Sequence, residues 1–230
     1  MGAMVYRRGL LHLSRGSEAQ RRSAKGAAAW EKVRRADAIA KLQPPLDSYE
    51  LEALGNRIHT PDIDAEALHH VFVTFPKKLD CDIAQNPNAL SDDLAAIWKA
   101  RDCPDYYLTI NPDVPLEIVQ SIFDSTKRED LDEWGRMARD GAALRLATDR
   151  CDPEFLYSLY DATGEFAPET KTGGLIRIRM ATNLCTPEVV WRQMQRPPEL
   201  KQAAEYAKSY RRTASADSRV REAQEWRPKR

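Results

Sequence analysis

The feature that most constrains this chain is a thirteen-residue corner written five times without gaps: TPDIDAEALHHVF from Thr60, NPNALSDDLAAIW from Asn86, NPDVPLEIVQSIF from Asn111, TDRCDPEFLYSLY from Thr148 and TNLCTPEVVWRQM from Thr182. Position one is always Asn or Thr, which makes the turn. Position seven is acidic (Glu66, Asp92, Glu117, Glu154, Glu188) and belongs at the positive end of a helix dipole. Pro153 and Pro187 suit a first helical turn, where the missing N–H costs nothing. Position nine (Leu68, Leu94, Val119, Leu156, Val190), position twelve in the first four copies and the large position thirteen (Phe72, Trp98, Phe123, Tyr160, Met194) supply an apolar stripe. A unit this short cannot bury its own stripe, so its neighbours must cover it.

A second short apolar segment precedes each corner: Ile83-Ala84, Tyr106-Tyr107-Leu108, residues 142–147 and residues 175–181. These read as the first helix of each pair. LIRIRM within the last alternates like a strand, but nothing else in the chain would pair with it, so helix is the better reading. The corners start 26, 25, 37 and 34 residues apart, with extra length at 124–140, a charged insertion with a helix near 131–137, and at 161–174, a loop. Insertions of this kind map to one face of a solenoid. Asp47-Ser48-Tyr49-Glu50 is a capping box opening a helix over about 48–54, with Gly55 as its stop. The expected fold is all-α: an α-solenoid of about five short helical-hairpin repeats over 43–198, with basic helical extensions at 1–42 and 199–230.

The pieces IAQNPNALSDDLAAIW and LTINPDVPLEIVQSIF resemble the Asn-Pro-x-x-Pro-x-Glu-x-Leu corner of the variant leucine-rich repeat family, which is related to HEAT-type repeats, over about residues 56–195. The resemblance implies a right-handed superhelix. Some members of that family carry an N-terminal cysteine cluster for an iron–sulfur centre. This chain has no such cluster, and no cofactor is carried over.

Charge is unevenly placed: +7 over 1–42, −11 over 43–198 and +4 over 199–230, for a net of zero. Basic tails on an acidic body either fold back on it or meet an anionic partner. Residues 1–17 contain no acid and interleave Arg7, Arg8 and Arg15 with leucines, as in a flexible arm or, alternatively, an organelle transit segment. Residues 17–42 favour a helix with Ala29, Trp30, Val33, Ala36 and Ala40 on one face and Arg21, Arg22, Lys25, Arg34 and Arg35 around it, ended by Pro44-Pro45. A C-terminal helix over about 199–211 precedes a Ser/Arg-rich tail to Arg230 that is expected to be mobile. The candidate partner-binding residues are these cations with Arg211, Arg212, Lys171 and Trp134.

Four cysteines without a Cys-x-x-Cys pair predict buried reduced thiols and a cytoplasmic, reducing compartment, although Cys151 and Cys185 share a position in the repeat. Adjacent His69 and His70 cannot face one metal, and Asp92-Asp93 reads as a solvated helix start. The glycine-rich stretch 164–174 lacks the phosphate-loop order, and no nucleophile elbow, zinc signature or dinucleotide fingerprint occurs. No apolar run reaches membrane-spanning length. The expectation is a soluble, non-enzymatic scaffold without metal or small-molecule substrate. It binds a protein or assembly, with its basic arms on an anionic partner; the alternative is nucleic-acid binding through those arms.

Overall fold

The computed structural model describes residues 24–126, 130–162, 166–214 and 216–228, and all regular structure among them is helical. The chain divides into two compact units, Met1–Pro115 and Leu116–Arg230.

The first unit contains α1 (Ala24–Val33), α2 (Ala36–Ile39), α3 (Ser48–Ile58), α4 (Ala65–Thr74), α5 (Asp80–Ala84), α6 (Ser91–Ala100) and α7 (Asp105–Ile110). Alternate helices touch, α1 on α3, α3 on α5 and α5 on α7, while α4 and α6 lie against α5 and α2 against α4. The expected helix over 17–42 is broken at Arg34-Arg35. Arg57, 5% exposed, donates its Nε to the Arg34 carbonyl at 3.1 Å and its two terminal nitrogens to Asp62 at 2.7 Å. The break changes the register of the apolar face, so Ile39 is buried and Ala40 is exposed.

The capping box forms: the Glu50 amide donates to Asp47 Oδ1 at 2.8 Å and the Asp47 amide to Glu50 Oε2 at 3.0 Å. The helix it opens does not stop at Gly55 but runs to Ile58. A Cβ on Gly55 would lie 3.2 Å from Asp82 Oδ2 and 3.5 Å from Leu79 Cδ2, so the glycine permits close approach of the α5 region.

In this unit the second and third corners are each tied to the one before by an asparagine. Asn86 donates Nδ2 to the Ile58 and Thr60 carbonyls, and its Oδ1 accepts from the Asn88 amide at 2.8 Å. Asn111 donates Nδ2 to the Ala84 and Asn86 carbonyls at 2.8 and 2.7 Å, and its Oδ1 accepts from the Asp113 amide at 2.9 Å. A helix leaves its last carbonyls without intrahelical partners, and one buried primary amide satisfies two of them. Asn88 adds bonds to the Pro61 and Ile63 carbonyls at 2.9 and 2.7 Å. Asp93 is 4% exposed rather than solvated, because His69 faces it at 2.9 Å; His59 meets Asp82 at 2.9 Å.

The second unit contains α8 (Leu116–Ser125), α9 (Glu133–Asp149), α10 (Pro153–Tyr160), α11 (Lys171–Thr182), α12 (Glu188–Met194), α13 (Pro198–Ala214) and α14 (Ser218–Glu225). α9 packs on α8 and α11, and α11 on α13, with α10 and α12 alongside. The inserted helix and the following apolar segment are one continuous helix, α9, started by Asp132 accepting from the Gly135 amide at 2.7 Å. Its buried side is narrow, Ala138, Ala142, Ala143, Leu146 and Ala147. LIRIRM is helical within α11. Its strand-like alternation arises because Arg177, 5% exposed, turns inward to the carbonyls of Tyr160, Phe166 (2.9 Å) and Gly173 (3.1 Å), while Arg179 is exposed.

Position nine is fully buried in every copy: Leu68, Leu94, Val119, Leu156 and Val190 are each 0% exposed. Position thirteen is not uniformly core, since Phe72, Trp98 and Tyr160 are half-buried. The last copy is offset by one residue. Asn183, not Thr182, donates to the preceding carbonyls, those of Ala147 and Arg150, both at 3.0 Å, and accepts from the Cys185 amide at 2.8 Å. Thr148 lies inside α9 with its hydroxyl on the Leu144 carbonyl, so it makes no corner.

Stacking the fifth corner on the fourth brings Cys185 to Cys151, and the two form a disulfide with Cα atoms 5.0 Å apart. This overturns the reduced-thiol expectation for that pair; Cys81 and Cys103 are free. Beyond α13 the described residues form a further helix, α14, with Trp226 packed on Tyr157 at 5.5 Å between ring centroids and Gln224 donating to the Leu184 carbonyl at 2.9 Å.

Candidate functional site

Of the residues singled out by sequence, Arg7, Arg8, Arg15, Arg21 and Arg22, and with them the transit-like segment, lie outside the described residues. In the first unit Lys25 is exposed, its Nζ 6.0 Å from the Tyr49 ring centroid, Arg34 pairs with Glu31 at 2.8 Å, and Arg35 is exposed at the N-cap of α2. The basic helix also folds back on the acidic body through the Lys32–Glu50 ion pair. In the second unit Trp134 is 48% exposed in the first turn of α9, and Lys171 is exposed at the start of α11.

Arg211 corrects a sequence-based expectation. It is 4% exposed and donates to the carbonyls of Asn183 (3.2 Å), Leu184 (3.4 Å) and Thr186 (2.7 Å). It does for the last corner what Asn86, Asn111 and Asn183 do for earlier ones, and most of its donors are spent on backbone. Burial pushes its pKa below the usual arginine value, and the Glu188 carboxylate partly restores it.

Arg211 and Arg212 are nevertheless the two candidates that the fold brings together. They line a cavity of about 510 Å³ with Lys208, also on α13, with Glu188, Trp191, Arg192 and Gln195 from α12 and its C-cap, and with Gln224 of α14. The spacing makes this face: 188, 192 and 195 share one side of α12, and 208, 211 and 212 share one side of α13. Arg192 meets Glu188 at 2.8 Å and Arg211 meets its second oxygen at 3.5 Å, while Lys208 pairs with Glu205 at 3.4 Å. Arg212 is exposed and forms no ion pair among the described residues. The Arg211 guanidinium stacks 4.8 Å from the Trp191 ring centroid. Trp191 is 6% exposed, and its buried Nε1 has no hydrogen-bond acceptor among the described residues. Arg192 and Lys208 were missed by sequence reasoning because their helical spacing marks only a polar face; that the two faces meet is a tertiary fact.

Among the described residues, the remaining cysteines and histidines of the first unit are engaged locally. Burial pushes the thiols of Cys81 and Cys103 up from the ordinary cysteine value, which disfavours the reactive thiolate. His70 Nε2 lies 3.1 Å from the Leu42 carbonyl, and His69 is held by Asp93. Among the described residues no group of three or more His, Cys, Asp or Glu is arranged to hold a metal ion, and no helix is long and apolar enough to cross a membrane. Compared with protein-family models, with curated proteins and with solved structures, the chain matches none.

Proposed function

We propose that this chain is a non-enzymatic α-solenoid scaffold of the variant leucine-rich or HEAT-like kind, mediating protein–protein contact within a larger assembly and anchored to an anionic partner by its basic termini. The observation that carries this reading is the recurrence of one device, an asparagine amide bonded to two carbonyls of the preceding corner, at Asn86, Asn111 and Asn183, over a position-nine residue that is always buried. In a solenoid each unit leans only on its neighbours. Hydrogen exchange on Asn111→Ala is therefore expected to lose protection first in the adjoining corners, and uniform loss along the chain would refute the architecture.

A second reading, nucleic-acid binding, is favoured by the +7 and +4 termini and the four cations around the α12–α13 cavity. Titration of the full chain with duplex and single-stranded oligonucleotides at 50 and 200 mM salt separates the two. Six or more phosphate contacts would cost on the order of a thousandfold in affinity over that range. A stoichiometric protein partner retained after nuclease treatment, with only weak oligonucleotide binding, is the outcome expected of the scaffold.

A further inference from the structure

We propose that the cavity walled by α12, α13 and α14 is a binding site for a phosphate monoester. The inference goes beyond the scaffold reading and stands or falls separately from it. Of the four cations that line it, Arg192 and Arg211 share the carboxylate of Glu188 at 2.8 and 3.5 Å and Lys208 pairs with Glu205 at 3.4 Å, so four cations stand against two carboxylates. A carboxylate ligand would balance one of the remaining positive charges. A phosphate monoester carries close to two negative charges at neutral pH and presents three strong acceptor oxygens, which suits guanidinium and ammonium donors converging from two helices. The donors also come in the needed geometry: Arg212 projects from the helix that holds the buried Arg211, so its backbone is fixed by Arg211's bonds to three corner carbonyls. In the wall, the buried Trp191 Nε1 is a donor lacking an acceptor among the described residues. The volume of about 510 Å³ falls in the usual range for small-ligand sites, roughly 300–1,000 Å³, and leaves room for the carbon side of the ester beside its phosphate.

Calorimetric titration of the full chain in low-salt chloride buffer with a phosphoserine peptide, its unphosphorylated counterpart and inorganic phosphate tests this. One saturable site for a phosphate-bearing probe is expected, with no binding of the unphosphorylated peptide. Tighter binding of the phosphopeptide than of inorganic phosphate assigns the site to phosphorylated side chains; equal affinity would assign it to free phosphate and exclude the ester. Arg212→Gln and Lys208→Gln, both exposed and so not expected to alter the circular dichroism spectrum or melting temperature, should each weaken binding at least tenfold, while Lys99→Gln in the first unit should not. The proposal is overturned if the phosphopeptide does not bind saturably, if inorganic phosphate binds as tightly as it does, if the double variant R212Q/K208Q binds as the parent does, or if an oligonucleotide binds there and the phosphopeptide fails.

Discussion

At the scale of single residues, the buried polar groups govern this molecule. Asn111 is 2% exposed, and its side chain accepts from the Asp113 amide and donates to two carbonyls that have lost water. Leaving a buried acceptor unsatisfied costs about 1–3 kcal/mol, so Asn111→Ala should destabilise by about 2–4 kcal/mol in urea unfolding, and the exposed Asn88→Ala by less. Asp80, 3% exposed, has its carboxyl pKa raised chiefly by burial, with a bond from the Lys77 amide opposing. Its folded pKa therefore lies above its unfolded one, and its favourable contribution is complete below the unfolded value and lost as pH rises through the folded value. Asp80→Asn keeps an oxygen for Lys77 and removes the desolvated charge. Its urea midpoint should exceed the parent's at pH 7, with the gap closing as pH falls into the carboxylate range; a gap independent of pH would contradict this account. The sequence showed Asn86 and Asn111 as turn formers. That their amides would reach back to the previous corner was not legible, since a turn asparagine looks the same whether its Nδ2 meets water or a carbonyl.

At the scale of elements, starts were more legible than ends. The Asp47–Glu50 capping box is local chemistry, complete within four residues, and it forms as written. Gly55 is locally a stop, but the approach of Asp82 and Leu79 makes it a contact point inside α3. The pair Gly173-Gly174 separates the two roles of glycine. A Cβ on Gly173 would fall 2.0 Å from the Ala167 carbonyl oxygen and 2.5 Å from that of Phe166, whereas one on Gly174 meets only the Pro168 oxygen at 3.8 Å. Gly173→Ala should destabilise by more than about 2 kcal/mol, because backbone must move. Gly174→Ala should be neutral or stabilising by up to about 1 kcal/mol, since alanine loses less entropy in a helix. Thermal melts of the two variants that move together would show that the α11 start is not packed as described.

At the scale of the whole molecule, the Cys151–Cys185 disulfide closes a span of 34 residues within the second unit. On chain-entropy grounds a loop of that length is worth about 3–4 kcal/mol. Reduction with dithiothreitol, or the double change Cys151→Ser with Cys185→Ser, should lower stability by that order, read as faster hydrogen exchange around residues 150–186. Unchanged exchange would mean the two corners are held as firmly by Asn183 alone. The charge layout belongs to this scale too. The uneven +7, −11 and +4 distribution was plain in the sequence, but its destinations were not: Lys32 returns to Glu50, and Arg211 is drawn into the last corner, while Arg212 remains outside at the cavity.

What the order of amino acids settles alone is whatever depends on contacts a few residues apart: the helical period, the acidic first turns, the caps and the corner that recurs. Those interactions are present in any conformation that forms the helix. The exchange of partners between distant segments is decided only on folding. The register of the last corner at Asn183, the inward turn of Arg177 and Arg211, the meeting of Cys151 with Cys185 and the joining of the α12 and α13 faces into one cationic cavity all depend on which carbonyls, thiols and side chains are left without water once the helices pack.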